Sequence, residues 1–203
     1  MTGGDVEAIT QLVLHERRAR DRGWWERMRA AYWPDAVVSI SWFTGPALGF
    51  IESSEAMSAQ GTVATHRLAP VVVETVGDRA LAEVPAAIEI VTEIDGIPAV
   101  LTSYTRLLCR AGRRDGQWRL LRLDSIYERD ELVAAIPGET VRIDPTALAG
   151  FRPSYRLLSW HLSARGHSID PDLLGDDRPV EVAAFYEDEQ HWLHDDRPTR
   201  GSE

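Results

Sequence analysis

The N-terminal third of the chain carries apolar residues at helical spacing. The first set recurs every three to four residues and comprises Ala8, Ile9, Leu12 and Val13. This is the period of a helix that buries one face. Gly23 predicts the end of this first helix, because glycine readily adopts the left-handed conformation common at helix C-termini. A second, short helix is predicted for residues 24–32, a strand for residues 36–42 and a third helix for residues 47–60.

From residue 65 onward the pattern changes to an alternation of apolar and polar residues, which predicts β-strands. Four long runs span residues 65–76, 79–93, 97–111 and 117–129. They are separated by three turn signals, Gly77-Asp78, Asp95-Gly96 and Asp115-Gly116. Asp-Gly between alternating apolar runs is typical of a β-hairpin. Three helices before a long meander predict an α+β fold, with a curved antiparallel sheet backed by the helices.

The last third of the chain differs from the rest. Residues 1–135 are predicted to form one α+β domain, and residues 136–203 a helical C-terminal extension. Helices are predicted for residues 155–164 and 180–193. The extension is too short to fold comfortably alone, so we expect it to pack on the domain, as a lid, or on a neighbouring subunit, as an arm. The polar tail from about residue 195 is predicted to be disordered.

Composition and charge exclude several classes of function. A formal net charge of −10 argues against nucleic-acid binding. All 22 basic residues are arginine, which excludes lysine Schiff-base chemistry and lysine phosphate loops. Cys109 is the single cysteine, so no intrachain disulfide can form. No apolar run reaches the ~18 residues of a membrane span, and the first residues lack a signal-peptide pattern. We therefore expect a cytoplasmic protein without a membrane partner.

One pair of residues suggests acid–base chemistry. Asp21 lies at the end of the first predicted helix, and His66 opens the first long strand. If the sheet curves over the helices, the two side chains meet in its interior. A carboxylate that orients an imidazole makes a general base able to work near neutral pH. Spacing alone also allows the alternative, a solvated carboxylate and a surface histidine.

Three further residues are candidates for binding a substrate. Arg17 precedes Asp21 by one helical turn, so it is placed to pair with that residue, to bind an anionic group of a substrate or to form an ordinary exposed ion pair. Trp24 and Trp42 present flat rings that can stack on a cyclic ligand, although such residues more often pack in a core or at its rim.

The strands supply three more binding candidates. Tyr104 and Tyr127 can each donate a hydrogen bond to a developing enolate or a departing hydroxyl. Arg122 shares one strand face with Asp124, which suggests either a binding role or an exposed ion pair. Ser125 and Tyr127 lie on the opposite face of the same strand.

No metal site is expected. The acidic segment 170–177 does not match the spacing of a calcium-binding loop. The histidines of the extension lack the spacing of zinc ligands. No glycine-rich phosphate loop and no nucleophile elbow are present.

An ordered set of segments resembles a SnoaL-like domain, a branch of the nuclear transport factor two-like superfamily. The segments are residues 19–25, 32–36, 65–68, 77–83 and 115–120, within about residues 5–132. The resemblance implies a cone-shaped α+β barrel that encloses a pocket, as in scytalone dehydratase, polyketide cyclases and ketosteroid isomerase. In the dehydratase-type members an aspartate at the end of the first helix pairs with a histidine on the strand after the third helix. Asp21 and His66 fall on those positions.

The resemblance implies a cofactor-independent dehydratase, or an isomerase or cyclase, acting on a hydrophobic cyclic small molecule. His66 would move the proton and Asp21 would orient it, without a metal or an organic cofactor. A homodimer or homotrimer is expected. Two alternatives remain open: a non-catalytic small-molecule-binding or scaffold module, and a small structural subunit of a ring-hydroxylating dioxygenase.

Overall fold

The computed structural model describes residues 3–61 and 63–195, and the predicted disordered tail lies, apart from Asp195, outside them. The described helices are α1 (Gly3–Asp21), α2 (Trp25–Ala30), α3 (Ala47–Ala59), α4 (Arg156–Ser163) and α5 (Pro179–His194). The strands are β1 (Tyr32–Ile40), β2 (Phe43–Pro46), β3 (Ala64–Leu68), β4 (Val72–Val76), β5 (Arg79–Ile94), β6 (Ile97–Arg114) and β7 (Gln117–Ala134). Short 3-10 turns at Pro145–Leu148 and Pro153–Tyr155 precede α4. The predicted α+β class is confirmed.

The seven strands form one sheet in the order β2-β1-β7-β6-β5-β3, and β4 continues alongside β5. Strands β4 to β7 are linked by tight hairpins and are antiparallel to one another. Strand β1, in contrast, runs parallel to β7, so the sheet is mixed rather than wholly antiparallel. No hairpin links β1 to β7, and their relative direction is therefore not dictated by a turn.

Local signals predicted the hairpins but not every strand. Asp95 and Asp115 both have a φ angle of 50°, and the glycines that follow them also have positive φ angles, of 81° and 75°. Positive φ at both central residues is what this type of two-residue hairpin turn requires. The run predicted as one strand at residues 65–76 is divided into β3 and β4 around Pro70, which cannot donate a ladder hydrogen bond. Strand β2 lies between the predicted strand at residues 36–42 and the predicted third helix, and it forms a hairpin with β1 that the sequence did not predict.

The core lies between the concave face of the sheet and the N-terminal helices. Strand β5 contributes small inward-facing side chains, Ala80, Ala82, Val84 and Ala86, each of which is buried. Their size lets α1 lie close to the sheet and bury Ile9 and Val13. Register shifts in the β6–β7 pairing mark bulges, which bend a sheet and deepen its concave face.

The C-terminal helices pack on the sheet of the same chain. Helix α4 buries Leu158 and Leu162 in a cluster with Tyr127. Helix α5 lies against β4 and β5, with Glu189 and Leu193 buried. Strand β7 ends one residue before the predicted domain boundary, and independent folding of residues 1–135 stays a prediction. No helix within residues 3–61 and 63–195 combines the length and apolar character needed to cross a bilayer.

Candidate active site

The structure brings Asp21 and His66 into direct contact. Helix α1 ends at Asp21 and is followed by Gly23 with a φ of 65°, which turns the chain away and leaves the carboxylate at the helix end. The backbone N–H of His66 donates to Asp21 Oδ2 at 2.9 Å, and His66 Nδ1 lies 2.6 Å from Asp21 Oδ1. Both carboxylate oxygens are therefore held by one residue of β3.

The surroundings of this pair favour an ionised carboxylate beside a neutral imidazole. Burial lowers the pKa of His66 below its usual 6.5; the hydrogen bond to Asp21 opposes this shift, and the Arg17 and Arg20 cations reinforce it. Burial would raise the pKa of Asp21, but its hydrogen bonds from His66 outweigh burial and hold that pKa below 3.8. An ionised carboxylate only accepts hydrogen bonds. His66 Nδ1 therefore carries the proton, and the lone pair of Nε2 is left as a base.

His66 lines a cavity of about 60 Å³ under the concave face of the sheet. Its polar lining consists of Arg17, Arg20, Ser41, His66, Ser125 and Tyr127. Its apolar lining includes Trp42, Phe50, Ile88, Ile90, Leu158 and Leu162. A single water needs roughly 10–15 Å³ by the same measure, whereas pockets for larger ligands span about 300–1,000 Å³. A cavity of this volume accepts a compact molecule.

Arg17 lies in the cavity wall, but it does not pair with Asp21. Its side chain is 5% exposed and forms a two-pronged ion pair with Glu16. Tyr32 also donates a hydrogen bond to Glu16, at 2.9 Å. The sequence did not single out Glu16, although it follows buried Val13 at helical spacing.

Trp42 and Tyr127 also line the cavity. Trp42 packs on Phe50 with ring centroids 5.5 Å apart. The backbone N–H of Ser41 donates to Tyr127 Oη at 2.8 Å. Burial raises the pKa of Tyr127, so its hydroxyl stays protonated. Ser125 and Tyr127 share one face of β7, as the alternation predicted, and both line the cavity.

Trp24, Tyr104 and Arg122 are not part of the cavity lining. Trp24 is 36% exposed and stacks on two arginine side chains at the surface. The Tyr104 hydroxyl donates to Glu131 at 2.6 Å. Arg122 pairs with Asp124, whose side chain is 7% exposed, so this ion pair is partly buried and not the exposed pair of the alternative. Their predicted contact with substrate has no support in this geometry, because other side chains engage each of them away from the cavity.

Sequence reasoning missed Arg20, and it left open whether the extension covers the pocket as a lid, without naming the residues that would do so. Arg20 follows Arg17 by three residues and lies on the same buried face of α1, which is the one signal that could have identified it. Leu158 and Leu162 come from the extension and close the cavity on one side. No local pattern predicts where a distant helix docks.

Within residues 3–61 and 63–195, the side chains that could bind a metal ion do not form a cluster. No group of three His, Cys, Asp or Glu side chains there is close enough to share an ion. The expectation of chemistry without a cofactor stays a prediction.

Comparison with known proteins identifies the family. The family model described as a SnoaL-like domain matches residues 4–124. An uncharacterized protein of Aspergillus terreus is 29% identical over 177 residues, covering 77% of this chain and 64% of that protein. The chain thus spans less than two thirds of the length of that relative.

Solved structures show the same fold. A putative scytalone dehydratase from Novosphingobium aromaticivorans aligns with a TM-score of 0.53 and 16% identity, over 68% of this chain and 95% of that one. A type 2 hexachlorocyclohexane dehydrochlorinase aligns with a TM-score of 0.56 and 17% identity, over 69% of this chain and 96% of the other. At these identities the likeness establishes the fold alone. Since the family model covers more than half of the chain, this protein belongs to the SnoaL-like domain family.

Proposed function

We propose that this protein catalyses cofactor-independent proton transfer on a small, largely apolar molecule bound in the cavity. Dehydration is the first choice, and isomerisation or cyclisation by the same base is the second. The family includes dehydratases, cyclases and isomerases. The observation that carries the proposal is the contact of 2.6 Å between Asp21 and His66 at the cavity wall.

The geometry supports an elimination in which one residue serves as base and then as acid. His66 Nε2 takes a proton from a carbon beside an electron-withdrawing group, and Asp21 stabilises the imidazolium that forms. The imidazolium then protonates the departing hydroxyl, which leaves as water. The protonated hydroxyl of Tyr127 is available to donate to the developing negative charge. The apolar lining strengthens each of these interactions by excluding water.

The test is solvent deuterium exchange, which reports proton abstraction whichever reaction follows. Compact β-hydroxy ketones and β-hydroxy acids are incubated with the enzyme in D₂O and followed by NMR. Wild type should exchange the C–H next to the carbonyl. His66→Ala should abolish exchange, and Asp21→Asn should slow it by about 10²- to 10⁴-fold while the protein stays folded. The exposed His15 supplies a control, since His15→Ala should exchange at the wild-type rate.

Full exchange in both Asp21→Asn and His66→Ala would contradict the proposal. Binding without any exchange in wild type would support a non-catalytic binding module instead. Copurification with a larger iron-bearing partner would support a structural subunit of a dioxygenase. A cytoplasmic homodimer or homotrimer remains a proposal, and light scattering of the purified protein would determine the number of subunits.

A further inference from the structure

Arg20 is a buried cation that has no hydrogen-bond or ion-pair partner among the described residues. Arg20 is 7% exposed and lines the same cavity as His66. Within residues 3–61 and 63–195 its guanidinium makes no hydrogen bond and no ion pair, and its ring contact is with Trp25 at 5.9 Å. Neighbouring Arg17 is as deeply buried, but Glu16 holds it with two hydrogen bonds. Arg17 therefore already has an anionic partner, whereas the guanidinium donors of Arg20 are available to a ligand.

The two carboxylates that affect the pKa of Arg20 accept hydrogen bonds from other residues, so they do not satisfy its guanidinium donors. Burial and the Arg17 cation lower the pKa of Arg20, while Asp21 and Glu16 oppose this shift. Both oxygens of Asp21 already accept hydrogen bonds from His66. Glu16 is occupied by Arg17 and Tyr32. A buried guanidinium is costly unless its donors are satisfied, and the open side of Arg20 is the cavity.

We propose that Arg20 binds a carboxylate of the ligand, so that the molecule that occupies the cavity is a compact carboxylic acid. The fork of guanidinium donors matches the two oxygens of a carboxylate. The rest of the ligand then lies against the apolar wall of the cavity, within the chamber that His66 also lines. Neutralising the carboxylate removes a charge that would oppose proton abstraction from the neighbouring carbon. This inference rests on the proposed function and names its substrate class.

Calorimetric titration separates charge recognition from turnover. Propionate and benzoate are each compared with their neutral amides, propionamide and benzamide. Wild type should bind the carboxylates about 10- to 100-fold more tightly than the amides, the range expected for hydrogen bonds to a charged group. Arg20→Gln should lose this preference. Arg18→Gln removes the same charge from an exposed position on the same helix and should keep it.

Thermal stability without ligand supplies a second readout. Arg20→Met removes an unpaired buried charge and keeps an apolar stem, so it should raise the midpoint of thermal unfolding. An arginine with only a structural role would lower it on substitution. Arg20→Lys keeps the charge but loses the fork, and it should bind carboxylates more weakly than wild type does.

The His66→Ala variant separates carboxylate binding by Arg20 from the proposed catalysis by His66. This variant should retain the carboxylate preference while exchange is lost. Equal binding of carboxylates and amides by wild type would overturn the inference, as would a preference that survives in Arg20→Gln. Absence of binding by every probe at millimolar concentration would overturn it too. If wild type prefers carboxylates but catalyses no deuterium exchange, the result would support carboxylate binding by Arg20 and reject the catalytic role of His66.

Discussion

At the scale of single residues, the site depends on which partner of the Asp21–His66 pair is charged. The pKa of His66 is lowered, and so is that of Asp21; together these shifts give a neutral imidazole at pH 7. A base must be unprotonated, so exchange should be fastest above pH 6.5 and should fall as the pH drops through the pKa of His66. The same shift makes the folded state bind fewer protons than the unfolded state. The stabilisation from neutral His66 is thus present above pH 6.5 and is lost on acidification.

The sequence could suggest this pair but could not determine its charge state. Resemblance and spacing pointed to Asp21 and His66, since a helix end and a strand start can be read from local signals. The direction of the pKa shift depends on burial, which arises from contacts among distant elements. Arg20 was overlooked for the same reason. In the run of arginines around it, only its position on the buried face of α1 distinguishes it from exposed Arg18.

At the scale of elements, the cavity wall depends on how α4 is held. Asp130 of β7 accepts a hydrogen bond from the backbone N–H of Leu158 at 2.9 Å. Its other oxygen is buried without a hydrogen-bond partner among the described residues, as are the hydroxyls of Ser103 and Ser159. Burial raises the pKa of Asp130 to about 6, although the hydrogen bond from Leu158 opposes the shift. The anchor of α4 therefore carries an unfavourable charge at neutral pH.

Asp130→Asn should stabilise the protein above pH 6. The folded pKa of Asp130 is raised, so wild type loses stability as the pH rises from 3.8 through about 6. The uncharged amide avoids this loss, and its NH₂ group can donate to Ser103. The gain in the free energy of unfolding should reach up to about 3 kcal/mol at pH 8, measured by urea denaturation.

The pH dependence of the stability gain shows whether the gain comes from the raised pKa of Asp130 or from a general effect of removing one charge. The advantage of Asp130→Asn over wild type should shrink towards zero as the pH falls below about 4. Asp188→Asn, at an exposed position on α5, should match wild type throughout. An advantage for Asp130→Asn that does not vary with pH would contradict a raised carboxyl pKa.

The boundaries of the elements were predictable where turn chemistry is local. The Asp-Gly hairpins could be predicted because their φ angles follow from residue type. Strand β2 was not predicted, because Gly45-Pro46 is typical of a break between elements. A strand of only four residues can be recognised only from its pairing with β1. The division between β3 and β4 follows from Pro70, which cannot donate a ladder hydrogen bond.

At the scale of the whole molecule, α5 covers part of the outer face of the sheet. Glu189 is 2% exposed and forms a two-pronged ion pair with Arg110, at 2.7 and 2.8 Å. Trp192 stacks under Arg110 with 4.8 Å from the guanidinium to the ring centroid. Tyr186 donates to Glu83 of β5 at 2.9 Å. These contacts join the extension to the strands that carry the cavity on their other face.

Glu189→Ala should destabilise the protein by roughly 3 kcal/mol, because it leaves Arg110 without its buried partner. The matched control is Glu187→Ala, which removes the same charge from an exposed position of α5 and should change stability by less than about 0.5 kcal/mol. Chemical denaturation of both variants checks this. Equal effects would show that α5 contributes little through this ion pair.

Long-range arrangement is what the sequence could not supply. The α+β class followed from the order of helical and alternating patterns, and the structure confirms it. The parallel pairing of β1 with β7 joins strands about 85 residues apart, so no local signal reports it. The docking of α4 against Tyr127 and of α5 against Arg110 depends on contacts over similar distances. The docking of α4 also brings Leu158 and Leu162 into the cavity wall.

Nitrogen-15 NMR of the histidine rings reports the charge and the tautomer of His66 without any substrate. We expect His66 to be neutral at pH 7 with its proton on Nδ1, and its pKa to lie below 6.5. Asp21→Asn should weaken this tautomer preference. A His66 that is protonated at pH 7, or that carries its proton on Nε2 in wild type, would contradict this expectation.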